Sequence, residues 1–515
     1  MILAKLKKTY YRWHLDYLSL FLLIAGYYTW LQWNNYIGDP DGFYHTKIAL
    51  FLRQGELLKS LPWMQFSTLK ENFTDHHLLY HILLVPFTYF KNPLLGVKIA
   101  TVLFSSSMLV SFYWLLKKLR IVYPYLFILL STSFVSFNFR LNLIKANGLA
   151  LLVIWFLIYA LFTRRWKLTA GLSCIFVWLY GGWPLAIIIL FFYLLADYAY
   201  HKIKKTTHNK SYRLRLIIGM TSGLILGLVI NPYWPHNLYF YYQQVVQIGV
   251  INLGNQFAVG AEWYGLNFME VMSSAPHLFV LAILCIVLLI FNNQLISKKT
   301  IFSFLLSFAF LLLTIKSRRY IEYLLPFTLL FTACGLTDLR SVLAWKKIKT
   351  FWLSINVYLK IYLATGLLVF VFLVLPPLAK KMFYLSIPES FQIGKFQPAA
   401  DWLKNNTPPQ SIVVHGDWDD WPMLFYYNDQ NYYIIGLDPT FMHNFDQDLH
   451  QSYLQITKGE IENNLVQKIT TEFNSRFVLI DKSANQDFID QLKDSTASQI
   501  AYQDEEVIIY QLDYH

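Results

Sequence analysis

The sequence predicts an α-helical polytopic membrane protein of about eleven transmembrane helices, with an external α/β domain behind it. Three observations predict this. Apolar runs recur along residues 15–379. Only 14% of the 515 residues are charged, whereas soluble domains carry about 25%. The basic residues fall in short blocks between the apolar runs.

Those blocks are Lys5/Lys7/Lys8/Arg12, Lys117/Lys118/Arg120, Arg164/Arg165/Lys167, Lys202 to Arg215, Lys298/Lys299 and Arg340 to Lys349. They follow the positive-inside pattern of cytoplasmic loops. The net charge of +12 is thereby accounted for without a nucleic-acid partner. The aromatic content of 18% suits membrane interfaces. Cys174, Cys285 and Cys334 all lie inside apolar runs, so no disulfide framework is implied. Residues 1–33 lack a small-residue cleavage site and read as an uncleaved first helix.

The expected spans are 15–33, 94–116, 121–136, 147–163, 168–181, 183–200, 216–231, 276–292, 301–315, 321–337 and 361–379. With the N-terminus cytoplasmic, the external side of the plasma (inner) membrane receives 34–93, 137–146, 231–275, 316–320 and 380–515. The 231–275 loop carries no Lys or Arg, which agrees. His76 to Phe90 is short and reads as a re-entrant or interfacial helix. Phe43 to Lys59 reads as an amphipathic helix lying in the headgroup plane. The domains are thus 1–379, in the membrane, and 380–515, external. In the latter, helices are expected at 399–406, 421–427, 447–457 and 461–473. Strands at 411–414, 432–436, 477–480 and 506–512 alternate with them, which predicts a mostly parallel sheet.

Five constellations are candidates for chemistry. Asp39 and Asp41 sit in Gly38-Asp39-Pro40-Asp41-Gly42, where the first helix empties into water. Two carboxylates there suit a general base or a Mg²⁺ or Mn²⁺ ligand pair, although Asp-Pro-Asp-Gly is also simply a good turn. Asp75, His76, His77 and His81 could form half of a metal site or bind a phosphate; a helix cap at Asp75 is the plainer reading. Glu262, among aromatics in the loop without cations, could contact an acceptor or merely hydrate the loop. Lys316, Arg318 and Arg319 break the positive-inside trend and suit phosphate, or lipid headgroups. Trp418, Asp419, Asp420 and Trp421 follow a strand end and could hold an acceptor; acids at a helix N-terminus are the alternative.

Taken together these segments resemble the GT-C glycosyltransferases, polytopic enzymes that use polyprenyl-phosphate-linked sugars at an external active site. The catalytic subunit of oligosaccharyltransferases is similar in order of elements. It has an Asp near the end of the first helix, as Asp39 and Asp41 are. Trp178 to Trp183 resembles its Trp-x-Gly-Gly segment, and Ala258 to Glu262 partly matches its Ser-x-Ser-Glu loop. Arg318 and Arg319 correspond to its phosphate-binding arginines. Trp418 to Trp421 resembles its Trp-Trp-Asp-Tyr-Gly motif in composition. One departure stands out: the loop expected to supply a metal-binding acid pair reads Arg140 to Gly148, without an acid and with Lys145 near the ligand position. The resemblance then implies either a metal held elsewhere, by Asp75 and the histidines, or none. Protein O-mannosyltransferases and aminoarabinose transferases offer a similar order, an acidic first loop before a His-rich segment.

The resemblance implies transfer of a sugar or oligosaccharide, with inversion, from a polyprenyl-phosphate or polyprenyl-diphosphate donor to a glycan, lipid or protein acceptor. Asp41 or Asp39 would be the base, and Arg318, Arg319 and Lys316 the donor-phosphate ligands. Glu262 and the 418–421 segment would meet the acceptor. A lipid or glycan transporter would instead carry mid-helix charges and repeated halves. A non-catalytic receptor would leave Asp39 and Asp41 without a task.

Overall fold

The computed structural model describes residues 14–206, 210–342, 350, 354–369, 391–461 and 463–513. Five of the described helices are long and apolar enough to cross a membrane: Pro93–Lys118, Leu185–Lys204, Lys210–Val229, Lys298–Lys316 and Arg318–Ser341. Two further spans arise if each bent pair counts as one. These pairs are Val135–Asn142 with Asn147–Phe162, at 107°, and Phe268–Ser274 with Pro276–Phe291, at 101°. The expectation of about eleven is therefore not reached among the described residues.

The differences have local causes. Leu15–Gln32 is a helix of 18 residues, at the lower edge of spanning length. Trp166–Leu179 has 14 residues, ended by the Gly181–Gly182 turn. The run expected at 121–136 is helical only over Pro124–Ser131 before the chain breaks and restarts at Val135. Of the run 361–379, residues to Val369 belong to a Val357–Val369 helix. The rest, and with it the expected domain boundary at 379–380, lies outside the described residues.

Helix ends and contacts follow from sequence. The Asn92 side chain accepts from the amides of Leu94 and Leu95, Pro93 takes the first helical position, and Lys117 and Lys118 complement the last turn. Gly219, Gly223 and Gly227 recur every four residues and face the 166–179 helix. A Cβ at Gly223 would sit 2.1 Å from the Ala170 carbonyl oxygen. Such small-residue seams let helices approach closely where lipid supplies no hydrophobic drive.

The C-terminal domain carries five strands: β1 (Ile412–His415), β2 (Tyr432–Tyr433), β3 (Ser475–Asp481), β4 (Ser498–Gln503) and β5 (Val507–Leu512). Their order is β2-β1-β3-β5-β4. β2, β1 and β3 are parallel, whereas β3, β5 and β4 are antiparallel. The sheet is thus mixed, because β4 and β5 form a hairpin rather than a crossover. β4 had no expectation attached: its outward residues and one bulge hide the alternation of a strand.

This domain is clamped onto the first long loop. Met64 bridges Tyr433 of β2, and the indole of Trp63 donates to the Asp429 carbonyl. The helix Asp41–Arg53 packs on Trp421–Tyr427, burying Phe43, Tyr44, Ile48 and Phe51. It is held between protein surfaces, which corrects its expected place in the headgroup plane.

Candidate active site

The turn bearing Asp39 and Asp41 is fixed from three sides. Lys98 donates to the carbonyls of Asn34 and Tyr36 just before it, and Tyr36 bridges Gln392. Asp39 Oδ1 accepts the Asp41 amide at 3.0 Å, an Asx turn that aligns the two carboxylates. Gly42 allows the turn to press on the next layer, since a Cβ there would lie 2.6 Å from Ile37 and 3.2 Å from Ile144.

That next layer is the sharp bend between Asn142 and Asn147. It delivers Lys145, whose Nζ lies 2.8 Å from Asp39 Oδ2 and 2.9 Å from Asp41 Oδ2. From there an ionic chain runs through the site. Glu262 Oε2 is 4.0 Å from Lys145 and 2.5 Å from Arg140 Nη1, while its Oε1 is 2.8 Å from Arg319. Arg140 Nε also binds Glu322 at 2.8 Å, and Asn147 shares that same oxygen. The Arg319 guanidinium lies over the Trp263 ring, 4.9 Å from its centroid.

Asp39, Asp41, Lys145, Glu262, Arg140 and Arg319 line one cavity of about 620 Å³, together with Arg318, Trp418, Asp419 and Asp438. A smaller chamber of about 90 Å³ shares Asp41, Lys145, Glu262 and Arg319 and adds His45, His76 and His77. A third, about 250 Å³, is lined by Leu185, Ile188, Val245 and Val250, with Tyr180, Tyr323 and Arg319 at its polar end. Arg319 borders all three. The Trp178 to Trp183 segment forms a wall here: a Cβ at Gly181 would meet the His76 ring at 2.5 Å.

Ionisation follows the burial. Burial pushes Asp41 up to about 6; Lys145 works against the rise, and Asp39 and Glu262 add to it. Its side chain is 31% exposed, to the cavity. Burial also opposes charge on Glu262, but Arg319, Lys145 and Arg140 outweigh it and hold the carboxyl well below the usual range. Burial raises Asp419, helped by Asp417, Asp39 and Asp41, and raises Asp438 to about 6. Burial lowers His76 to about 4, so it faces the chamber as a neutral ring. Arg140 Nη2 and His76 Nδ1, and the Tyr44 hydroxyl beside the smaller chamber, are among the buried polar atoms that make no hydrogen bond.

The structure gathers Asp39, Asp41, Glu262, Arg318, Arg319, His76, His77, Trp418 and Asp419 around connected chambers. Five expected members do not line these chambers. Lys316 instead hydrogen-bonds the Val250 carbonyl. Asp420 is buried away from the lining. Trp421 is a core residue, fully buried, stacked on Phe425 and donating to the Trp63 carbonyl. Asp75 and His81 line none of the three cavities. Asp75 Oδ2 meets His81 Nδ1 at 2.7 Å, and His81 Nε2 meets His45 Nδ1 at 2.7 Å. Glu262 is an ionic bracket for two arginines rather than a free acceptor contact.

Sequence reasoning missed the roles of Arg140, His45 and Asp438. A cation at position 140, in a loop expected on the external side like that of Arg319, departs from the positive-inside trend and was the available signal. His45 lies one helical turn after Asp41 and shares its face. Nothing in the sequence set Asp438 apart from a Leu-Asp-Pro turn.

A divalent ion does not fit the acid pair. Both inward oxygens already hold the Lys145 ammonium, and no group of three His, Cys, Asp or Glu side chains among the described residues could hold a metal. The second expected location, Asp75 with the histidines, is consumed by the Asp75–His81–His45 chain.

A helical body with a mixed-sheet domain seated on its first loop is the fold this chain shares with several solved membrane glycosyltransferases. Solved structures agree at 10–12% identity. The oligosaccharyltransferase of Archaeoglobus fulgidus matches 90% of this chain and 69% of its own at a TM-score of 0.63 and 10% identity. ArnT from Cupriavidus metallidurans, bound to undecaprenyl phosphate, covers 97% of both chains at 0.56 and 10% identity. The mycobacterial arabinofuranosyltransferase AftD covers 98% of this chain and 40% of its own at 0.55 and 12% identity. The Archaeoglobus protein has also been solved with dolichol phosphate and with zinc and sulfate. No family model matches the sequence, and no curated protein does.

Proposed function

We propose that the chain is an inverting membrane glycosyltransferase that moves a sugar or oligosaccharide from a polyprenyl-phosphate or polyprenyl-diphosphate donor to an acceptor. The external face of the inner membrane is the site of transfer, with the C-terminal domain on that side. One observation carries the reading: Asp41 and Arg319 line the same chamber. The ligands recorded for solved proteins of this fold, dolichol phosphate and undecaprenyl phosphate, support the choice of donor.

The apolar chamber between Leu185 and Val250 takes the first isoprene units. Arg319 and Arg318 meet the phosphate, with His76 as a neutral donor beside them. The acceptor enters by the large cavity, past Trp418, Asp419 and Asp438. Asp41, ionised above pH 6, takes the proton from the acceptor hydroxyl or amide. The freed lone pair attacks the anomeric carbon, the bond from that carbon to the phosphate oxygen breaks, and polyprenyl phosphate (or diphosphate, from a diphosphate donor) leaves with the electron pair. Arg319 stabilises the charge that develops on the leaving oxygen. A single displacement inverts the anomeric carbon.

The test is release of polyprenyl phosphate from a panel of lipid-linked sugars by the purified protein in proteoliposomes. The reading predicts release from at least one donor, lost in Asp41→Asn. Equal release by wild type and Asp41→Asn would remove Asp41 as the base.

A further inference from the structure

The Lys145 ammonium occupies a position where the fold leads one to expect a metal. Its two contacts to Asp39 and Asp41 are of hydrogen-bond length, and the side chain is only 10% exposed. The third proton faces Glu262 Oε2 at 4.0 Å. Asp39 Oδ1 is committed to the Asp41 amide, so the pair offers a metal little beyond Asp41 Oδ1. Mg²⁺ wants about six oxygens near 2.0–2.1 Å, and an ammonium beside the same carboxylates adds like-charge repulsion.

The placement is built into the backbone. The 107° break between the 135–142 and 147–162 helices supplies it, with Lys145 two residues before the second helix starts. The Ser105 hydroxyl ties the first helix by donating to the Leu141 carbonyl, and Gly42 lets the acid turn close on Ile144. A lysine tethered in this way costs no ion binding and cannot be removed by a chelator.

We infer that Lys145 is a positioning residue that replaces a divalent cation, holding Asp39 and Asp41 in register from within the chain, and that removing its ammonium uncovers a latent divalent-metal site at this acid pair. The inference rests on the glycosyltransferase reading only for the expectation of a metal there. Its test does not need the sugar donor.

The experiment is Mn²⁺ binding, followed by electron paramagnetic resonance, to the full-length protein in nanodiscs after metal stripping. Wild type is expected to bind no stoichiometric Mn²⁺ that depends on the acid pair. Lys145→Ala is expected to bind one ion with an affinity raised about tenfold or more, and Asp39→Asn in the Lys145→Ala background to lose it. Lys145→Met, which keeps the apolar stem, replaces Lys145→Ala if the latter does not fold. A stoichiometric Mn²⁺ in wild type that Asp39→Asn or Asp41→Asn removes would overturn the inference, as would folded Lys145 variants that gain no ion. Where turnover is measurable, wild type is expected to be indifferent to EDTA, and loss of activity restored by Mg²⁺ or Mn²⁺ would count against it. Absence of any turnover with intact Mn²⁺ results would fault the functional reading and leave this one standing.

Discussion

Arg319 and Glu262, 57 residues apart in sequence, meet at 2.8 Å in the wall shared by the large cavity and the smaller histidine-lined chamber. Glu262 also holds Arg140, so one carboxylate sets the position of two guanidinium groups. Arg319→Ala is expected to weaken donor use by about 10- to 150-fold in kcat/KM, the value of a lost hydrogen bond to a charged group. Steady-state kinetics against donor concentration check it. Arg319→Lys should recover only part, because an ammonium cannot reproduce the planar fork.

Asp41→Asn should lower kcat by about 10²–10⁴ with donor affinity little changed, as expected for removal of a general base. Asp39→Asn should be milder, since an amide oxygen can still accept from the Asp41 backbone. Single-turnover assays at saturating donor separate the two.

The acid limb of the pH profile should reflect Asp41, whose carboxyl is raised to about 6 by burial. The active form is the carboxylate. Activity should therefore be full above pH 7 and fall as pH drops through 6, about tenfold per unit below it. A kcat against pH series between 4.5 and 8 reads this directly.

The Arg140–Glu322 pair is a matter of stability first. Glu322 is completely buried, and Arg140 is its only cationic partner among the described ion pairs. Arg140→Met should destabilise the protein by about 3–5 kcal/mol, because it strands a buried carboxylate. Combining it with Glu322→Gln should recover much of the loss. Thermal unfolding in detergent, run as a double-mutant cycle, measures both.

Gly223→Leu should disrupt the seam between the 210–229 and 166–179 helices, where the backbone leaves no room for a side chain. Loss of folded protein on size-exclusion chromatography is the expected outcome, with Gly223→Ala less severe.

Much of this organisation was legible in the sequence, for identifiable reasons. The acidic turn and the Arg318–Arg319 pair stood out because each carries charge at a membrane edge, where charge is costly and rare. The helix at Trp421–Tyr427 and the one at Gln447–Thr457 were legible from their bounding Asp and Pro residues. A loop was expected at 137–146, but neither the Val135–Asn142 helix inside it nor the contact of Lys145 with the acid turn was legible. A short helix between two polar breaks leaves little periodic mark, and only the tertiary contact with the acid turn gives Lys145 its meaning. The expected number of spans is not reached among the described residues because apolar runs such as 121–136 are broken into short helices. Trp421 illustrates the opposite error: its motif-like neighbours suggested a binding role, yet an indole of that size is also what a domain interface buries.

The most direct test of the central claim is a cryo-EM structure of the protein with bound polyprenyl phosphate. The account predicts the phosphate within hydrogen-bond distance of Arg319, its lipid in the chamber lined by Leu185 and Ile188, and the Asp41 carboxylate facing the same space. A phosphate bound elsewhere, or separated from Asp41 by packed helices, would contradict it.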